Sequence, residues 1–175
     1  MPITALELRH AEALTAFEAD FAATDEPRIP AYFADPAWPH ARKVQEVNGW
    51  AEGRFLKPGW GPCTTRFLEL DGALVGVVNI RHELSEQLRQ VGGHIGYSVA
   101  PSARRKGHGT TLLRAGLDVC RGLGIDQALV TCDETNLGSI RVIENNGGRL
   151  FETDARPGSP PICRFWVPTD RADLV

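Results

Sequence analysis

Apolar residues recur along this chain in two rhythms, and the change from one to the other marks out its elements. Ile3 to Leu8 reads as a short first strand. From residue 10 to residue 23, Ala13, Leu14, Phe17 and Phe21 fall three or four positions apart, the spacing of one helical face. Pro27 and Pro30 end that pattern, because proline brings no N–H to a helix. Residues 27 to 62 are the least regular stretch, rich in proline and tryptophan, with one helix expected from about 39 to 53. A hairpin follows. Thr65 to Leu70 and Ala73 to Ile80 flank Asp71-Gly72, a pair suited to a tight primed turn.

Residues 81 to 91 read as a polar connector, and 93 to 99 as the next strand. The following helix turns Gly109, Leu112, Leu113, Gly116, Leu117 and Cys120 to one side and runs to about Arg121, where Gly122 and Gly124 punctuate its end. Ile125 to Cys132 reads as a buried strand. A helix starts near Asn136, with Ile140 and Ile143 inward, and stops at Gly147-Gly148. Leu150 to Thr153 and Ile162 to Val167 form a last antiparallel pair, joined by the loop from Pro157 to Pro161. The sum is an α/β fold, a mixed sheet with helices on both faces.

Composition narrows the class. A chain of 175 residues with 42% apolar content suits one globular domain with a full core, over 1–175. A net charge of −3 argues against a general nucleic-acid binder, which is normally basic. Cys63, Cys120, Cys132 and Cys163 form no Cys-x-x-Cys pair, so neither a zinc site nor a redox motif is expected. Cys120 and Cys132 fall on apolar periodic positions and read as reduced core residues. No apolar run is long enough to span a bilayer and the N-terminus lacks a signal pattern, so the expectation is a cytoplasmic protein with no membrane partner.

The chemistry concentrates at Arg104-Arg105-Lys106-Gly107-His108-Gly109, between a strand and a helix. The first N–H groups of a helix lack internal partners and carry the positive end of its dipole. Glycines at 107 and 109 let a diphosphate approach the backbone, and three cationic side chains add to the attraction. Thr110 and Thr111 follow Gly109 without the lysine that a P-loop needs. Leu112 stands where a dinucleotide fingerprint needs its third glycine. The remaining form is Arg-x-x-Gly-x-Gly.

That form, with Gly93 to Pro101 before it and Leu129 to Asn136 after it, resembles the GCN5-related N-acetyltransferases, the GNAT superfamily. The wording Gly-His-Ile-Gly-Tyr and Val-Thr-Cys-Asp is similar to a bacterial subgroup of predicted acetyltransferases. The resemblance implies a single-domain, mostly antiparallel twisted sheet that splays between its fourth and fifth strands, with acetyl-CoA entering the gap. It implies that residues 93–147 form the cofactor core and that residues 1–62 cover the acceptor. Tyr97, Ser98 and Val99 would pair with the pantetheine arm. Arg104, Arg105, Lys106, Gly107, His108, Gly109 and Thr110 would hold the diphosphate. Asn136 and Ser139 match a helix start that faces the cofactor; the same residues also suit a helix cap.

Acetyl transfer needs positioning, a base, an oxyanion donor and a proton for the thiolate. A backbone N–H near Val99 is the family's usual oxyanion donor. Many relatives place a glutamate at the position that is Gly93 here, so that base is missing; His94, His82 and Glu83 are the remaining candidates. Many relatives also place a tyrosine acid where this chain has Ile143; Tyr97 is the substitute, unless a thiol of pKa about 8.5 leaves unaided. No metal is implied. The cover would hold Tyr32, Phe33, Trp38, Trp50 and Trp60, with Asp25, Glu26 and Asp35 nearby. Aromatic faces and carboxylates suit a cationic amine, although tryptophans in a lid also serve to pack it. A small amine, an amino-acid-like metabolite, an antibiotic and a peptide N-terminus all fit. Many relatives dimerise, so a homodimer is a further expectation by analogy. The departures at Gly93 and Ile143 also admit a non-catalytic acetyl-CoA-binding module, and an unrelated phosphate-binding domain is a third reading.

Overall fold

Asp71 and Gly72 both take left-handed backbone angles, with φ of 49° and 81°, so the chain reverses in two residues and Leu70 pairs with Ala73. This hairpin, β2 (Cys63–Leu70) and β3 (Ala73–Arg81), is the centre of a four-stranded antiparallel sheet. β1 (Ile3–Thr4) flanks β2 and β4 (Ile95–Val99) flanks β3. A second antiparallel sheet has the order β5-β7-β6, built from β5 (Gln127–Asp133), β6 (Arg149–Arg156) and β7 (Ser159–Pro168). A computed structural model describes residues 2–24 and 31–170. The architecture is the expected α/β fold with helices on both faces of the first sheet.

Strand alternation splits the core into two layers. On one face of the first sheet, Leu68, Val78 and Ile80 pack with Ile95 and with Leu112, Leu113 and Leu117 of α4 (His108–Gly122). On the other, Phe67 and Val77 pack with Phe17 and Phe21 of α1 (Ala11–Ala22), and with Val47 of α2 (His40–Gly49) and Trp50 just beyond it. Two glycines let α4 lie close to the sheet. A Cβ on Gly116 would stand 3.0 Å from Ile95 Cγ2, and one on Gly76 would stand 2.6 Å from Leu112 Cδ1. All four cysteines are buried and free. Among the described residues no helix is long and apolar enough to cross a membrane, and no group of side chains could hold a metal ion.

Three boundaries differ from the sequence expectation, each for a local polar reason. The first strand ends at Thr4, because Glu7 and His10 close a turn on each other: His10 N–H donates to Glu7 O at 3.0 Å, and Glu7 N–H donates to His10 Nδ1 at 3.0 Å. The connector after β3 contains α3 (Glu86–Gln90), capped by Ser85 Oγ, which accepts the Leu88 N–H at 3.3 Å. The last hairpin turns in two residues rather than through a loop to Pro161. Gly158, at φ 72°, makes the turn, Arg156 pairs with Ser159, and Arg156 Nε donates to Pro160 O at 2.9 Å.

The two sheets meet at His94. Gly92 and Gly93, at φ 113° and 60°, twist the chain just before it. The His94 carbonyl therefore accepts from Arg81 N–H on β3 at 2.8 Å, while its own N–H donates to Leu129 O on β5 at 2.7 Å. Beyond His94 the sheets separate, and β4 and β5 share no ladder among the described residues.

Candidate functional site

The gap beyond His94 has a main-chain wall. Arg81 N–H reaches His94 O, and Ala100 N–H reaches Val75 O at 2.9 Å, so the even-numbered residues of β4 make the ladder to β3. By the alternation of an antiparallel ladder, the N–H and C=O groups of Tyr97 and Val99 turn the other way, into the gap. The Val99 carbonyl accepts Arg104 Nε at 3.2 Å.

The gap ends on a loop that offers amides. Arg105 and Gly107 are both left-handed, with φ of 66° and 82°, in a turn that leads into α4. Gly107 is the N-cap of α4 and supplies no side-chain cap. The first bond back into the helix runs from Thr111 N–H to Gly107 O at 3.2 Å, leaving the amides of His108, Gly109 and Thr110 without intrahelical acceptors. A Cβ on Gly107 would meet nothing within 4 Å, which leaves this face of the loop open. His108 is buried and its Nδ1 has no partner. Gly109 has a different reason to be glycine: a Cβ there would stand 3.0 Å from Val142 Cγ2, so it serves the contact with α5 (Leu137–Glu144).

Together these elements line a cavity of about 860 Å³. It brings Tyr97, Ser98, Val99, Arg104, Arg105 and Gly107 together with His108, Gly109, Asn136 and Ser139. The Lys106 and Thr110 side chains do not line it. Six lining residues escaped the sequence reading: Phe21 from α1, Leu137, Gly138, Arg141 and Val142 from α5, and Asn145 just after it. Those on and after α5 carry a usable signal, since residues 138, 141, 142 and 145 repeat at helical spacing on the face that Asn136 opens. Asn136 caps α5, its Oδ1 accepting Ser139 N–H at 3.0 Å, while also lining the cavity. Tyr97 crosses the gap, its hydroxyl 2.8 Å from Ser139 Oγ, and burial raises its pKa well above the usual phenol range. Cys132 is nearby, its thiol pushed up to about 11 by burial. Ile143 is fully buried in the core and does not line this cavity.

The candidate bases lie apart from this wall. A Cβ on Gly93 would stand 2.3 Å from Leu129 O, so no side chain fits there. His94 Nδ1 accepts Leu129 N–H at 2.9 Å, which puts the ring proton of the neutral form on Nε2. Burial, with Arg89 and Arg81 nearby, lowers its pKa to about 4. His82 Nε2 bonds Thr64 Oγ1 at 2.8 Å, and burial lowers its pKa too. Glu83 lines a second cavity, of about 520 Å³.

That second cavity sorts the aromatic residues of the cover. Phe33 and Trp60 line it, edge to face with centroids 5.0 Å apart. Trp50 is buried in the core, Tyr32 packs edge-on to Phe67, and Arg42 lies over Trp38 at 4.4 Å. Asp35 Oδ1 accepts Ala37 N–H at 2.9 Å in a local turn. Asp25 and Glu26 lie outside the described residues.

Comparisons with known proteins agree with this fold. Among curated proteins none matches. Among solved structures, RimJ of Mycobacterium smegmatis in complex with CoA-disulfide is similar, with a TM-score of 0.68 and 18% identity over 98% of this chain and 83% of that one. The structure of yncA from Salmonella typhimurium with its cofactor acetyl-CoA gives a TM-score of 0.61 at 18% identity, covering 98% and 95%. A variant of the spermidine N-acetyltransferase SpeG from Vibrio cholerae gives 0.64 at 15% identity, covering 97% and 95%. At these identities the likeness shows the fold. The family model for the acetyltransferase (GNAT) domain matches residues 3–149. That match runs through both strands beside the gap and the loop at its end, and it makes this chain a member of the GNAT acetyltransferase family.

Proposed function

We propose that this protein is an acetyl-CoA-dependent N-acetyltransferase that moves an acetyl group directly to a primary amine of a small molecule or peptide. One observation carries the reading: the main-chain groups of Tyr97 and the N–H of Val99, which lie outside the β3 ladder, lead along a gap to the open amides of α4. The residues fit the cofactor. The bare face at Gly107 and the orphaned, buried His108 Nδ1 both suit a phosphorylated ligand that brings its own hydrogen-bonding groups. The amides of His108, Gly109 and Thr110 would hold the diphosphate, with Arg104, Arg105 and Lys106 adding charge. Tyr97, Ser98 and Val99 would line the pantetheine arm, and Asn136 and Ser139 would face it. When bound, acetyl-CoA supplies an activated acyl carbonyl and a thiolate leaving group.

The chain's own residues supply the rest. Val99 N–H points into the gap and serves as the oxyanion donor. The Tyr97 hydroxyl stays protonated and is the donor for the leaving thiolate. Among the described residues lining the acceptor cavity, Glu83 is the acidic one, and it takes the amine's proton through water. His82 is held by Thr64 behind it, and His94 holds the two sheets together instead of acting as base. Residues 1–62 cover the acceptor side and residues 93–147 form the cofactor side.

The test is a titration followed by an assay. At about 100 times its Kd, acetyl-CoA adds about 2.7 kcal/mol to native stability, a rise of several degrees in Tm. A thiol-release assay across an amine panel then reads turnover, and Glu83→Gln lowers kcat about tenfold or more. No thermal response at saturating acetyl-CoA overturns the reading.

A further inference from the structure

The acceptor cavity has a cationic floor. Arg81 reaches it from the end of β3. Its NH1 group donates to the carbonyls of Gly92 at 2.9 Å and Gly93 at 3.0 Å. A guanidinium carries five N–H groups, so those at Nε and NH2 remain. No described carboxylate forms an ion pair with it; the Phe33 ring centroid lies 5.9 Å from its Cζ, and the Cys63 thiol is close enough to feel its charge. Burial pulls its pKa below the ordinary arginine range, an effect that Cys63 beside it offsets only in part.

Two positions back on the same face stands Asn79, fully buried. Asn79 lines the same cavity and sits beside the Cys63 thiol; its Nδ2 donates to Thr65 Oγ1 at 3.0 Å, and its buried Oδ1 has no partner. A buried acceptor left unpaired is costly and asks for an N–H. The order along the sheet sets a direction. Asn79 pairs with Gly96, next to Tyr97 on the rim of the gap, while Arg81 lies further from it. Phe33, Trp60 and Leu88 give the remaining wall an apolar surface.

We propose, on the N-acetyltransferase reading above, that the acceptor is a free amino acid with an apolar or aromatic side chain. Its carboxylate lies on Arg81, its amino group donates to Asn79 Oδ1, and its side chain lies against Phe33 and Trp60. A carboxylate on an arginine is the strong, two-pronged form of charge-assisted bond. This orientation points the nitrogen at the gap. The nitrogen forms a bond to the acetyl carbonyl carbon as the carbon–sulfur bond breaks. One N–H proton leaves to the base, and the sulfur departs as thiolate and takes a proton. A polyamine meets a like charge at Arg81, and a peptide N-terminus has no carboxylate at that distance.

Binding to the wild-type protein, with and without acetyl-CoA, tests this by calorimetry on matched pairs: L-phenylalanine with phenethylamine, and L-leucine with isoamylamine. Spermidine and a short peptide serve as comparators, and the other apolar amino acids complete the panel. The amino acid of a pair binds on the order of a hundredfold more tightly than its decarboxylated partner, because loss of the carboxylate leaves Arg81 unpaired. In Arg81→Gln that preference disappears while acetyl-CoA affinity holds. Equal or tighter binding of the decarboxylated amine or spermidine overturns the proposal, as does a panel in which no amino acid binds, or an Arg81→Gln protein that keeps the preference. The wild-type pairs decide the matter even where the variant does not fold. Failure to bind acetyl-CoA is a separate reading, and it overturns the acetyltransferase assignment.

Discussion

The hydroxyls of Tyr97 and Ser139 lie 2.8 Å apart, and that bond spans the gap between β4 and the helix that follows β5. The site thus receives a phenol from the strand side. At the helix position where the family resemblance leads one to expect a tyrosine, Ile143 is packed into the core, and a Cβ on Gly148 would stand 2.3 Å from its Cγ2. If Tyr97 delivers the proton to the thiolate, Tyr97→Phe lowers kcat by about a hundredfold and leaves the Kd for acetyl-CoA near the wild-type value. Its raised pKa keeps the wild-type rate free of a tyrosine break through neutral pH. Ser139→Ala, which removes only the tether, has the smaller effect. Steady-state kinetics on both variants checks this, and an unchanged kcat in Tyr97→Phe removes the phenol from the mechanism.

Gly107→Glu blocks the anion site. The Cβ itself meets no atom, so the fold tolerates it at the cost of a left-handed non-glycine residue, about 1–2 kcal/mol. If the loop holds the diphosphate as proposed, the carboxylate then occupies its place and repels it. The expected result is a folded protein by circular dichroism whose Tm no longer responds to acetyl-CoA. An undiminished response would move the diphosphate elsewhere.

Gly93→Glu restores a carboxylate that many relatives carry, and it fails to create a base. Its Cβ would stand 2.3 Å from the Leu129 carbonyl, on a backbone at φ 60°, where the two sheets meet. The loss of stability exceeds about 3 kcal/mol, because neither neighbour is a flexible side-chain end. Urea denaturation of Gly93→Ala, which carries the same Cβ, gives the same sign.

His94 makes stability depend on pH in a calculable direction. Its folded pKa of about 4 lies below the unfolded value of about 6.5, so the unfolded chain binds the proton more readily. The stability it contributes is complete above pH ~6.5 and is lost as the pH falls through ~4. His94→Asn keeps an acceptor for Leu129 N–H without the titration. Between pH 7 and pH 4.5 the variant therefore loses less stability than wild type in urea melts, and parallel losses would remove His94 as the cause.

Sequence alone settled what is written in neighbouring residues. The Asp71-Gly72 turn, the apolar face of α4 and the strand–loop–helix junction around Gly107 are each local, and their spacing fixes backbone geometry with little outside help. From that spacing came the order of the elements, and from the likeness of the motif around Gly107 came the family. What tertiary structure decided depends on residues far apart in the chain. His94 is a titratable side chain by sequence and a stitch between sheets once Leu129, 35 positions away, takes its Nδ1. Gly109 reads as an opening for phosphate by sequence, and folding adds a second reason for glycine there, since a Cβ would stand 3.0 Å from Val142 Cγ2. Arg81 is one charge among many until folding places it against Gly92 and Phe33 on the wall of a cavity. Periodicity reports which face of an element is apolar; it carries no information on which distant groups share a cavity, since that is set by how the sheets and helices pack.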